Sequence, residues 1–253
     1  MNDIFRALGR AIVSQFHPRM LWLAVWPFLV AFVAWLLVGS VFNRLATERI
    51  ARFVADSFVG ATIDATFSWM GFGGGVDVLA WIIYWGLVFA LMVLTALVII
   101  ATVAMPTVVD HVAGRDYPAL ARKQGGSYVG SLGNALWVTI VFIIGFVVTI
   151  PLWLIAPLAF IVPLLWWGWA TARMFRYDAL VIHASAEERQ TLHQRHGKAF
   201  LLIGVIVSLL NFVPPLFFLV PILGGLAFTH YGLHALEALR AERGEVGLVG
   251  TSV

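Results

Sequence analysis

The stretch "LLNFVPPLFFLVPILGG", Leu209–Gly225, is apolar enough to lie in lipid but is interrupted by prolines. Proline removes a backbone donor and disrupts a helix, so this segment is not expected to cross a membrane as one regular helix. The uncharged run 199–236 is therefore predicted to form a hairpin that turns at Pro214 and Pro215. Its first arm, about 21 Å of helix, is short for an about 30 Å hydrocarbon core.

The composition indicates a membrane protein. Of the 253 residues, 61% are hydrophobic and 11% are charged, and the mean hydropathy is +0.94. Soluble domains carry about 25% charged residues, so the lipid bilayer is the first predicted partner. The net charge of +3 is attributed to loop topology and anionic headgroups, and no nucleic-acid partner is predicted. The absence of cysteine excludes disulfides, thiolate metal sites and cysteine nucleophiles.

Two long uncharged runs, 21–42 and 78–105, precede the hairpin region. The first corresponds to about 33 Å of helix, and the second is longer, so both are predicted to span the bilayer. Pro27 is expected to kink the first span, and Pro106 is expected to end or bend the second.

The flanking segments are amphipathic or polar. Residues 3–16 have apolar side chains at helical spacing, which predicts a helix at the membrane interface. Residues 43–77 are the longest polar interval, in which charged and apolar residues alternate from Arg44 to Ala61, and this spacing predicts an amphipathic extension of the first span. The run "GFGGG", Gly71–Gly75, is predicted to be a flexible break. Residues 237–253 are charged and then small, which predicts a disordered tail after a single membrane domain, 1–236.

A second proline-broken region, 134–172, contains no charge. Pro151 and Pro157 divide it into two arms, of which 135–150 would form only about 24 Å of helix. The predicted fold is thus an all-α integral membrane protein with two long transmembrane helices, two proline-broken helical hairpins and an amphipathic N-terminal helix. Hairpin turns inside lipid need cover from protein or a water-filled cavity, which favours an oligomer or a pore.

Most of the sixteen Lys and Arg residues would lie on one side of the membrane if each hairpin returned to its starting side. The positive-inside rule then places both termini in the cytoplasm. The segment between the hairpins contains "SAEE", in which Ser185 and Glu188 are predicted to form a helix capping box.

Several local matches follow one another in a recognisable order. They are "HPRML", "WPFLV" around Pro27, "ATVAMPTVVDHVAG", "FRYDALV" with its aromatic–Asp pair Tyr177 and Asp178, and "HGKAFLLIGVIVSLLNFVPPLFFLVPILGG". Over roughly residues 5–236, this order resembles the CysZ-type sulfate permeases and their relatives, the etoposide-induced membrane proteins. The resemblance implies partially penetrating hairpins, homo-oligomers, the bacterial inner membrane, and sulfate uptake for cysteine synthesis without an ATP-hydrolysing motif.

The sequence departs from that family before the first span. The family carries two consecutive arginines there that contribute to sulfate binding. In an alignment on Pro18 and Pro27, this pair falls on Leu21 and Trp22, and Arg19 is the nearby arginine.

Three arginines are candidates for binding a small inorganic anion: Arg19, Arg173 and Arg176. A guanidinium suits an oxyanion, and the start of a helix adds exposed N–H groups. The alternatives are structural. Arg19 could contact lipid headgroups, and Arg173 and Arg176 could form a helix-end ion pair with Asp178.

No metal, cofactor or enzyme activity is predicted. His230 and His234 have i, i+4 spacing, but no third ligand is fixed by the sequence. Asp110 and His111 are adjacent and would not face each other on a helix. The predicted function is transport or binding of a small oxyanion such as sulfate. The alternative is a membrane scaffold, or bilayer-shaping protein, of the same fold without a pore.

Overall fold

The computed structural model describes residues 2–71, 73–123, 126, 128–213 and 216–245, and within them the secondary structure is entirely helical. The elements in chain order are α1 (Asn2–Gln15), α2 (Pro18–Ala55), α3 (Phe58–Trp69), α4 (Gly75–Ile99), a π-helical segment (Ile100–Ala104), α5 (Met105–Asp116), α6 (Tyr128–Val148), a 3₁₀ turn (Ile150–Leu154), α7 (Ala156–Leu180), α8 (Ala186–Leu210) and α9 (Val220–Glu242). The all-α prediction is confirmed for these residues. The chain forms two compact units, Trp26–Ile99 and Met1–Val25 with Ile100–Val253.

Four stretches are long and apolar enough to cross a membrane: Pro18–Ala55, Gly75–Asp116, Val129–Val148 and Ala156–Leu180. The first two contain the two predicted long spans. The other two are the arms of the first predicted hairpin, and only 6% and 11% of their apolar windows are buried. The sides of these helices are therefore left for lipid or for another protein.

The arms of the first hairpin are longer than predicted. Helix α6 has 21 residues, about 31 Å, because it begins at Tyr128, before the predicted arm 135–150. Polar residues there are satisfied inside the fold: the Ser131 hydroxyl donates to the Asp178 carboxylate, and Asn134 Nδ2 donates to the Arg173 carbonyl at 3.5 Å. Helix α7 likewise continues beyond residue 172 to Leu180.

The unit Trp26–Ile99 contains most of α2 together with α3 and α4. The Tyr84 hydroxyl donates to the Gly39 carbonyl at 2.7 Å, and Trp35 Nε1 donates to Thr95 Oγ1 at 2.9 Å. The predicted glycine break is confirmed: Gly71 and Gly74, with φ of 84° and 75°, adopt left-handed backbone between α3 and α4.

Helix α9 forms the core of the other unit. Most of its residues are buried, on every face of the helix, and it is in contact with α1, α5, α7 and α8. A helix that is apolar on every side is stable only when neighbours cover it. The second arm of the second predicted hairpin is thus covered by helices of the same chain. It continues past residue 236 to Glu242.

Helices α7 and α8 approach each other through small residues. A Cβ atom on Gly168 would lie 2.9 Å from Val205 Cα, and one on Gly204 would lie 3.1 Å from the Ala172 nitrogen and in conflict with the Gly168 carbonyl oxygen. Side chains at these glycines would push the backbones apart, so glycine permits the close packing.

The prolines singled out from the sequence occupy different positions. Pro27 lies inside α2, and Pro106 lies in the first turn of α5, directly after the π-helical segment. Pro151 lies in the 3₁₀ turn and Pro157 in the first turn of α7, where the missing N–H costs no helical hydrogen bond. Pro214 and Pro215 lie outside the described residues. The turn at these two prolines stays a prediction.

Candidate functional site

Three arginines line one cleft between α6, α7 and α8. Arg173 and Arg176 come from α7, and Arg189 comes from the start of α8. The cleft has a volume of about 240 Å³, and its other lining residues include Asn134 and His193. We call it the three-arginine cleft.

Local structure places these side chains. Arg173 and Arg176 are three residues apart, so they share one face of α7. The predicted capping box fixes the first turn of α8: Ser185 Oγ accepts from the Glu188 N–H at 3.1 Å, and the Ser185 N–H donates to Glu188 Oε2 at 2.7 Å. Because Arg189 follows directly, its position on α8 is set by this cap.

Each guanidinium lies against an aromatic ring. The distances from guanidinium carbon to ring centroid are 5.7 Å for Arg173 on Trp169, 5.8 Å for Arg176 on Phe200 and 5.1 Å for Arg189 on Tyr177. Such stacking holds the planar group in place and leaves its edge N–H groups available for hydrogen bonds.

The three charges lack carboxylate partners. In the described part of the chain, none of Arg173, Arg176 and Arg189 forms a salt bridge. Among the described residues, Arg173 Nε and Arg189 Nη1 are buried without a hydrogen-bond partner, and Arg176 Nη1 donates to the ring nitrogen Nδ1 of His193. Buried guanidinium donors without an acceptor are costly, so the cleft favours an external anion.

Two other arginines, Arg122 and Arg195, are paired with carboxylates, unlike the three arginines of the cleft. Arg122 contacts Asp110 at 2.8 Å, and Arg195, on the same helix as Arg189, contacts Glu242 at 2.6 Å. Asp178 is close in sequence to Arg176, but its carboxylate accepts from Ser131 instead. The helix-end ion pair considered from the sequence is not found among the described residues.

A buried ion network holds the α8 end of the cleft. Burial raises the pKa of the Glu188 carboxyl, but hydrogen bonds from Arg240, the Ser185 N–H and Lys123 outweigh this effect and lower it to about 2. Glu188 is therefore ionised and fully partnered. Its neighbour Arg189 has no carboxylate partner among the described residues.

The third predicted anion ligand does not join this cleft. Arg19 is exposed in the first turn of α2, and its backbone N–H donates to His17 Nδ1 at 3.3 Å. The family's arginine positions hold Leu21 and Trp22, and Trp22 is 63% exposed. The structure thus brings together Arg173 and Arg176, but not Arg19.

Arg189 was missed from the sequence because "SAEERQTLHQRHGK" has the composition of a solvated helix. The one available signal was its place beside the capping box, which fixes a backbone position but not a tertiary neighbour. Within the described residues, no group of three or more His, Asp or Glu side chains is arranged to hold a metal ion.

Comparison with known proteins supports one assignment. No curated protein and no solved structure gives a significant match. The family model described as "Sulfate transporter CysZ/Etoposide-induced protein 2.4" matches residues 7–221, which include the three-arginine cleft and most of the helices. The chain therefore belongs to the sulfate transporter CysZ/etoposide-induced protein family of membrane proteins.

Proposed function

We propose that this protein binds a small oxyanion such as sulfate at the three-arginine cleft and passes it across the membrane. The observation that carries the proposal is that Arg173, Arg176 and Arg189 share a cleft without a carboxylate partner among the described residues. The family description, which names a sulfate transporter, supports the same class of ligand.

The chemistry of the cleft suits a compact anion with several oxygens. A guanidinium presents fixed N–H donors, and its hydrogen bonds to an anion are about twice as strong as neutral ones. Arg173 Nε and Arg189 Nη1 have no acceptor among the residues that the structure describes, so binding an anion there breaks no described ion pair. His193 accepts from Arg176 and orients that guanidinium.

The membrane arrangement is part of the proposal. We place both termini in the cytoplasm because most basic residues then lie on that side. The two proline-broken regions form hairpins within one membrane domain, and the exposed apolar sides of α6 and α7 contact lipid or a second copy in a homo-oligomer of the bacterial inner membrane. No catalytic step is assigned.

Binding and flux of radiolabelled sulfate test the proposal. Purified protein is titrated in detergent and then reconstituted into proteoliposomes. Arg189→Gln should weaken sulfate binding about 10-fold or more, because it removes a charge-assisted hydrogen bond. Arg195→Gln is the matched control, since it changes the same charge on the same helix at a residue already paired with Glu242.

Arg19→Ala and Arg173→Gln complete the series and locate the anion. A larger loss of binding in Arg19→Ala than in Arg173→Gln and Arg189→Gln would move the site to the start of α2. No flux above empty liposomes would contradict transport. The scaffold function of the same fold would then be the better assignment.

A further inference from the structure

A second basic cleft lies between α1, α5 and α9. Its lining includes Arg6 and Arg10 from α1, Arg115 from α5 and His230 from α9, and its volume is about 700 Å³. It shares no lining residue with the three-arginine cleft. We call it the α1 cleft.

The α1 cleft has an excess of positive charge. It contains three guanidiniums and one carboxylate, Asp116. Arg115 lies 3.8 Å from that carboxylate, and Arg6 lies 3.5 Å from Asp3, but the side chains of both arginines are more than half exposed. Exposed pairs of this kind contribute little energy. Arg10 forms no ion pair with a described carboxylate.

The wall of the cleft is built from buried polar side chains. His230 is 2% exposed, and its Nε2 lies 3.2 Å from Ser14 Oγ. Its Nδ1 has no hydrogen-bond partner, and the nearest carboxylate oxygen, Asp116 Oδ2, is 3.5 Å away. When the Ser14 hydroxyl donates to Nε2, the ring proton is on Nδ1 and is available to an acceptor in the cleft.

An exposed apolar stripe borders the basic cleft on the same helix. Phe5 and Ile12 are 62% and 50% exposed, and Val13, which lines the cleft, is 68% exposed. At about 100° per residue, Phe5 and Ile12 lie on the face of α1 next to the one that carries Arg6 and Arg10. The third face packs on α9 through small residues such as Ala7 and Ala11. Helix α1 therefore has a packed face, an apolar exposed face and a basic face.

This order of faces matches a lipid, which joins a charged headgroup to apolar chains. A helix with apolar and basic faces lies in the membrane interface, with basic side chains at the level of the phosphates. We propose that the α1 cleft binds the phosphate group of an anionic phospholipid, with Arg6, Arg10 and Arg115 around the phosphate oxygens and the acyl chains along Phe5 and Ile12. Free phosphate shares the headgroup chemistry but cannot use the apolar stripe.

Native mass spectrometry in neutral detergent tests this site with the full chain. Phosphatidylglycerol, phosphatidylcholine and inorganic phosphate are titrated separately. The double variant Arg6→Gln/Arg10→Gln should bind phosphatidylglycerol about 30-fold more weakly. Each interfacial arginine contributes roughly a fivefold factor in affinity, and the two factors multiply. The control Arg44→Gln/Arg49→Gln removes the same charge from exposed positions on α2 and should bind like the wild type.

Two further variants separate charge from fold and lipid from free phosphate. Arg6→Lys/Arg10→Lys keeps the charges and should retain most of the binding, whereas Ile12→Ser should weaken phosphatidylglycerol binding only. Wild-type affinity in the glutamine double variant would overturn the proposal. Displacement of phosphatidylglycerol by an equal concentration of inorganic phosphate would also overturn it, because the lipid would then not be the ligand.

Discussion

Arg240 donates from Nε and Nη2 to the two oxygens of Glu188, at 2.9 and 3.1 Å, and both side chains are almost completely buried. The same guanidinium donates to the carbonyl oxygens of Ala121 and His183 at 2.8 and 2.6 Å. One side chain thus joins the end of α9, the start of α8 and the segment before α6. Arg189, which follows Glu188 in the chain, lines the three-arginine cleft and has no carboxylate partner in the described part of the chain. The network holds that unpaired charge in place.

Removing the charge of Glu188 should destabilise the protein strongly. Glu188→Gln leaves the buried Arg240 guanidinium without a counterion, and such a loss costs about 3–5 kcal/mol of unfolding free energy. The control is Glu187→Gln, because the Glu187 side chain is 81% exposed and its contact to Arg243 is 3.5 Å. Unfolding in a denaturing detergent, followed by circular dichroism, measures both. Equal stability of the two variants would contradict the role given to the network.

The Glu188 carboxylate should also make stability depend on pH. Its folded pKa, about 2, is below the unfolded value, so the stabilisation is fully present above about pH 4.5 and is lost as the pH falls toward 2. The whole interval corresponds to on the order of 3 kcal/mol. Thermal unfolding from about pH 6 down to about pH 3 checks this, and Glu188→Gln should show a flatter curve. A parallel curve for the variant would mean that other carboxylates set the acid limit.

The sequence predicted those features that depend on short spacing. Ser185 and Glu188, three residues apart, form the capping box, and Gly71 and Gly74 form the break before α4. The length of α6 was underestimated because Ser131, in the polar start of this helix, donates to a partner on another helix, Asp178 of α7. No local pattern reveals such a partner.

Only part of the candidate site could be predicted, because a local pattern does not reveal which helices pack together. Arg173 and Arg176 follow directly after an uncharged run, so their position in the sequence was enough to predict them as candidate anion ligands. Arg189 joins them through the packing of α7 against α8. Arg19, which lies near the family's arginine positions, does not line the three-arginine cleft. Local matches therefore identified the family, but they did not identify which arginines meet in space.

The close approach of α7 and α8 should be sensitive to a single methyl group. Gly204→Ala places a Cβ against the Gly168 carbonyl oxygen and 3.1 Å from the Ala172 nitrogen, so backbone must move, which costs about 1–3 kcal/mol of unfolding free energy. Gly133→Ala in α6 is the control, because a Cβ there meets no atom within 4 Å and alanine favours helix. The measurement is detergent-induced unfolding of both variants. A destabilised Gly133→Ala together with an unchanged Gly204→Ala would show that this crossing does not limit stability.

The ring of Tyr177 should contribute to anion binding through Arg189, whose guanidinium carbon lies 5.1 Å from the ring centroid. Tyr177→Leu removes the ring, leaves Arg189 less ordered, and should weaken sulfate binding about 5-fold, which corresponds to roughly 1 kcal/mol of cation–π energy. Tyr177→Phe keeps the ring and should bind sulfate like the wild type. Equilibrium binding of radiolabelled sulfate compares the two variants. If Tyr177→Phe lost as much sulfate affinity as Tyr177→Leu, the hydroxyl and not the ring would be the group that supports binding. Unchanged affinity in both variants would mean that Arg189 needs no support from this ring to hold the anion.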